Sequence, residues 1–189
     1  MQQEHPLIEL YVNVGDEQQN TSVEEALSAI NLDGVVSLTL QAVGLTQEFM
    51  LTLLITDDDG IRDMNKQYRE QDKATDVLSF PLIERPLVDA PLDQLWSPAE
   101  DAEGTEQPHT FVTPPDMVAN LGDVVVSWPT ILRQAAEAGH EYQTELIYLL
   151  SHAVLHLVGY DDQTEAGYQA MVTIQQSILE AMGQKAYKA

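Results

Sequence analysis

His152 and His156 are the residues of this 189-residue chain whose type and spacing bear most directly on chemistry. They stand four positions apart within ELIYLLSHAVLHLVGYDD, so on a helix both imidazoles leave one face. Leu146, Leu149, Leu150, Ala153 and Leu157 form an adjoining apolar arc that buries the helix and lets the histidines border a cleft. Gly159 ends the helix and doubles the chain back, bringing Asp161 or Asp162 towards the rings. Two histidines and a carboxylate leave one coordination position open, as in catalytic zinc sites, and the ion acidifies water bound there. Cysteine is absent, so any resident metal must be held by His, Asp or Glu. Position 153 is Ala where the H-E-x-x-H proteases carry their general base, which disfavours peptide hydrolysis by that mechanism. The plain alternative is a chance histidine pair with no metal.

A second feature is a basic stripe. Arg62, Lys66, Arg69 and Lys73 are half of the eight basic residues, and their spacing of 4, 3 and 4 aligns them within one arc of a helix. Ile61, Met64 and Tyr68 fall towards the opposite side, where they can pack inward. The whole chain carries a formal charge of −23, a field that repels nucleic acid and anionic membranes at long range. A polyanion partner would therefore need a local patch of this kind to position its phosphates. The competing reading is a solvated helix face.

The elements that must hold these residues follow from periodicity. Strands are expected near 7–14, 49–56, 76–80 and 123–127. Helices are expected from a Ser22/Glu25 capping box, over 35–44, from the Asp57–Asp59 caps to about 69, from Ser127 to Gly139, over 141–158 and over 164–182. Strands mixed with helices, then helices alone, indicate an α+β fold with a small mixed sheet. Residues 83–120 hold six of the nine prolines, eight acidic residues and only Arg85 as a base, so they read as a long acidic loop. No apolar run approaches the ~18–20 residues of a membrane span, and the N-terminus lacks a basic head before an apolar stretch. A soluble cytoplasmic protein is the expectation.

Three blocks then carry a resemblance. HAVLHLVGYDD is similar to the H-G-x-L-H-L-x-G-Y-D-H signature of the YbeY family, metal-dependent endoribonucleases implicated in ribosomal RNA maturation. MNKQYREQDKATDVLSFPL at 64–82 resembles that family's N-R-x-Y-R-x-x-D-x-x-T-D-V-L-S-F-P block, and LGDVVVS at 121–127 its L-G-D-I-x-I-S strand. The resemblance implies one domain over 1–189, with a four-stranded mixed sheet, about five helices and a zincin-like metal helix. It implies one zinc ion per chain, RNA and the ribosome as partners, and single-strand cleavage in ribosomal RNA maturation and ribosome quality control. Carried over by position, His152 and His156 match the first two metal ligands, and Arg69 matches an arginine implicated in activity. The family has histidine where this chain has Asp162, and usually glycine in place of Ala153. The expectation is a retained site of altered affinity, with Arg62, Lys66 and Lys73 binding substrate. Asp123 and Asp76 are weaker candidates for a general base. The competing functions are a non-catalytic ribosome-assembly or protein-binding factor and a metal hydrolase of another substrate.

Overall fold

Strict alternation along the strands gives the sheet two different faces. The computed structural model describes residues 7–98 and 118–184. Its sheet has the order β1-β2-β4-β3, with β1 (Ile8–Asn13), β2 (Phe49–Thr56), β3 (Val77–Pro81) and β4 (Ala119–Ser127). β1 and β4 flank β2 in parallel, and β3 lies antiparallel to β4 at the other edge. Leu51, Leu53, Ile55, Val124 and Val126 point to one side, into the main core. Leu54, Leu78, Phe80 and Val125 point to the other, where they meet Ile61 and Met64.

Helices cover the faces unequally. α1 (Glu17–Ser28), α2 (Leu32–Ala42), α4 (Trp128–Ala138), α5 (Tyr142–Val158) and α6 (Glu165–Ala181) all contribute to the main core, whereas α3 (Asp58–Arg69) packs over the smaller cluster. α5 is the central helix: Leu150, Leu155 and Leu157 have no exposed surface, and it packs on α2, α6 and β3. The fold is α+β with a mixed four-stranded sheet, as expected, and six α-helices rather than about five. No helix among the described residues is long and apolar enough to cross a membrane.

Several boundaries differ from the sequence reading for local reasons. α1 begins at Glu17 because Asp16 and Gln19 form the capping box: the Gln19 N–H donates to the Asp16 carboxylate at 2.8 Å and the Asp16 N–H to Gln19 Oε1 at 3.0 Å. The Ser22/Glu25 pair therefore lies inside the helix. Asn31 caps α2 through the Gly34 N–H, moving its start to Leu32. β4 starts at Ala119, four residues early, because a bulge opposite Leu51 absorbs the register shift. Gly122 sits at that bulge with φ 135°, and a Cβ there would lie 2.2 Å from the Phe80 carbonyl oxygen. Only glycine fits.

Residues 99–117, half of the acidic segment, lie outside the described residues. Its leading part is more than a loop. Residues 86–96, including the 3₁₀ turn Leu92–Gln94, run against the C-terminal end of α5.

Candidate metal centre

The helical register of α5 sets His152 and His156 side by side, with ring centroids 4.5 Å apart and Nε2 atoms 3.0 Å apart. α5 stops at Gly159, whose φ of 137° reverses the chain and brings the Asp162 carboxylate within 3.7 Å of His152 Nε2 and 3.8 Å of His156 Nε2. One ligand atom from each of the three residues fits within 4.8 Å. Between the two aspartates left open by sequence, Asp161 turns elsewhere, its carboxylate accepting from the Gln163 N–H at 3.3 Å.

The outer nitrogens of both rings are engaged. His156 Nδ1 lies 2.9 Å from the Tyr160 carbonyl oxygen, which can only accept, so Nδ1 carries the proton and Nε2 presents a lone pair. His152 Nδ1 lies 3.3 Å from Gln175 Oε1, and the orientation of that amide is fixed because Gln175 Nε2 donates to the Tyr148 carbonyl at 3.1 Å. Two lone pairs and a carboxylate thus converge on one point, an arrangement that repels itself unless a cation or a proton lies between them. Nitrogens bound at ~2.0–2.1 Å to a tetrahedral ion stand roughly 3.3 Å apart, within a few tenths of the separation seen here. The donor set fits a zinc-type ion, with both histidines oriented by outer hydrogen bonds as such ligands usually are.

Electrostatics favour the same state. Burial, reinforced by the neighbouring His152, holds the His156 imidazole below its ordinary pKa, with Asp162 pulling the other way. Neutral imidazole is the form that binds a metal. Asp162 keeps 40% of its side chain exposed, against 22% and 23% for the histidines, so the cluster opens to solvent on the carboxylate side.

The basic residues are placed differently. Arg69 is the last residue of α3, which packs on the sheet face opposite α5. Glu70 follows in a left-handed conformation with φ 58° and ends the helix, so Lys73 stands beyond it rather than continuing the stripe. Its carbonyl instead accepts from Asn65 Nδ2 at 2.9 Å. Arg62 is committed to Asp72 at 2.8 Å. Tyr68 is 63% exposed and meets Phe80 edge to face, so only Ile61 and Met64 pack inward as expected. Asp76 and Asp123 are engaged elsewhere: the Asp76 carboxylate accepts from Thr75 at 3.4 Å, and Asp123 is exposed opposite Phe80.

Two contributors escaped the sequence reading. Gln175 is 1% exposed on the buried face of α6 beside Met171, Ile178 and Leu179, and a polar residue in an apolar stripe was the available signal. Trp96, whose indole N–H donates to the His156 carbonyl at 2.8 Å, gave none, because its neighbourhood has no periodicity.

The chain is similar to known proteins over most of its length. The family model described as Endoribonuclease YbeY matches residues 13–183. A protein named Endoribonuclease YbeY from Desulforamulus reducens is 38% identical over 172 residues, covering 91% of this chain and 97% of its own. One of the same name from Dehalococcoides mccartyi is 36% identical over 148 residues, covering 78% and 83%. The solution structure of TM1509 from Thermotoga maritima aligns over 92% of this chain and 91% of its own, at 17% identity and a TM-score of 0.49.

Proposed function

Since the chain belongs to the YbeY family of endoribonucleases, we propose that it is a metal-dependent, single-strand-specific endoribonuclease acting in the cytoplasm on ribosomal RNA, in maturation and ribosome quality control. The observation that carries the reading is the convergence of three donor atoms within 4.8 Å, with both histidine Nδ1 atoms already engaged. His152, His156 and Asp162 are the residues that would hold one zinc ion, which when bound supplies Lewis acidity at a phosphodiester oxygen and a more acidic water.

The chain's own residues do the rest. Arg69 stabilises charge developing on the phosphate, and its guanidinium suits that task by presenting a fork of donors. Lys66, Lys73 and Arg62 bind the RNA backbone locally against a repulsive overall field, Arg62 exchanging its Asp72 partner for phosphate. Single strands are the favoured substrate because their bases and backbone are accessible to a site open on one side. Aspartate in the third position adds a negative charge that a histidine would lack. Metal preference is thereby shifted towards harder ions than a set of three histidines would favour.

The test is metal content after chelation and zinc repletion, alongside cleavage of a single-stranded RNA. Wild type is expected to retain about one equivalent per chain and Asp162→Ala to lose it. His156→Ala and Arg69→Ala are each expected to lose cleavage by 100-fold or more, on the order of removing one transition-state donor. Cleavage unchanged in both variants overturns the scheme. A wild type that folds without metal and cleaves nothing moves the weight to a non-catalytic ribosome-assembly factor.

A further inference from the structure

We infer that Trp96 is a positioning residue of the metal centre, and that the strap 86–96 fixes the turn from which Asp162 reaches the histidines. The inference rests on the reading of His152, His156 and Asp162 as metal ligands. Its starting point is the end of α5, where the last carbonyls of a helix lack intrahelical partners. The strap supplies them. The Leu87 N–H donates to the Val158 carbonyl at 2.8 Å, the Trp96 N–H to the Gly159 carbonyl at 2.9 Å, and the Trp96 indole N–H to the His156 carbonyl at 2.8 Å. In return the Asp161 N–H donates to the Gln94 carbonyl at 3.0 Å, and the Thr164 hydroxyl donates to the Asp93 carbonyl.

These bonds bracket the liganding turn on both sides. Leu95 bridges Tyr160 in antiparallel fashion, and the Tyr160 carbonyl is the acceptor that faces His156 Nδ1. Pro86 fills the space above Gly159, where an added Cβ would lie 2.5 Å from the proline Cβ. Asp162 follows directly after the Asp161 N–H that the strap holds. Its short side chain carries the carboxylate only one carbon beyond Cβ, so the backbone has to be brought close and kept there. A turn fixed in advance does not have to be ordered when the ion binds, which raises affinity. The leading part of the acidic segment thus acts on the metal through the backbone, without contributing a ligand of its own.

The test is Trp96→Phe in the full chain, which keeps an aromatic ring and deletes the indole donor. Zinc affinity is read by competition with a chelator, and the unfolding midpoint is read on the metal-free protein. The expected result is about 10-fold weaker zinc binding at unchanged stoichiometry, at the lower end of the ~10–100-fold typical when groups supporting metal ligands are removed. The metal-free midpoint should move little. Val23→Ala, on α1, is the control: it lowers the midpoint and leaves zinc affinity unchanged. Zinc affinity in Trp96→Phe equal to wild type, or reduced only with a midpoint loss matching that of Val23→Ala, overturns the inference. Amide exchange on the unaltered protein gives an independent reading: Leu87, Trp96 and Asp161 should be protected without metal, and exchange at free-loop rates counts against the strap. A wild type that takes up no zinc sinks the metal reading itself. A wild type that binds zinc beside an unaffected Trp96→Phe sinks only the strap.

Discussion

His152 presents Nε2 to the cluster because its other nitrogen faces the amide oxygen of Gln175, which is held in turn by the Tyr148 carbonyl. Gln175→Leu deletes both bonds at similar volume and frees the ring to adopt either tautomer. Nitrogen chemical shifts of His152 in the metal-free protein should report the Nδ1–H tautomer in wild type and a mixture in the variant. A wild-type pattern in the variant would remove Gln175 from the site. The histidine pair was legible in sequence because a four-residue spacing on a helix fixes which side chains are neighbours. Gln175 was not, since it lies 23 residues from His152 in sequence and meets it from a different helix. The choice between Asp161 and Asp162 likewise depends on how the chain leaves Gly159, a tertiary matter that spacing alone does not contain.

Between elements, Asp58 does more than begin α3. Its carboxylate accepts from Ser127 Oγ at 2.5 Å and Thr130 Oγ1 at 2.8 Å and pairs with Arg133 at 2.9 Å, tying α3 to the end of β4 and the first turns of α4. The Arg133 bond first, then Ser127, hold its pKa down at about 2, below the usual carboxylate value of 3.8. A carboxylate whose pKa falls on folding binds fewer protons folded than unfolded, so its stabilisation is full above about pH 4 and fades as pH falls towards 2. Stability of Asp58→Asn should therefore depend less steeply on pH between about 4 and 2 than that of wild type. Parallel curves in acid titrations of the two would refute the assignment. Three adjacent aspartates read as helix caps in the sequence, and Asp57 does cap, accepting from the Gly60 N–H at 2.7 Å. The role of Asp58 was hidden because its partners lie 69 to 75 positions away. Element types were legible where the apolar pattern was strong, as in the near-continuous apolar run of β2 and the helical spacing of α5 and α6. Starts were misplaced where a cap or bulge decided them, as at Asp16 and Gly122.

Across the whole molecule, a charge of −23 makes the folded state repel itself. Screening should relieve this. Raising ionic strength from about 0.01 to 0.15 M shortens the Debye length from ~30 to ~8 Å, and the thermal midpoint of the metal-free protein is expected to rise over that range. A midpoint that falls with salt would mean that local ion pairs such as Asp58–Arg133 outweigh the collective term.

The strand order has a consequence in time. β4 lies between β2 and β3, so β3 has no sheet partner until a strand that begins 38 residues after its own end has been inserted. β2 must likewise wait from Thr56 to Ala119 for its second neighbour. Such non-local, partly parallel pairing makes for slow folding, since the closure entropy is spent before the contacts that reward it. While the ribosome is still extending the chain, β2 can pair with β1 alone, and its other backbone edge stays unpaired until Ala119–Ser127 has been made.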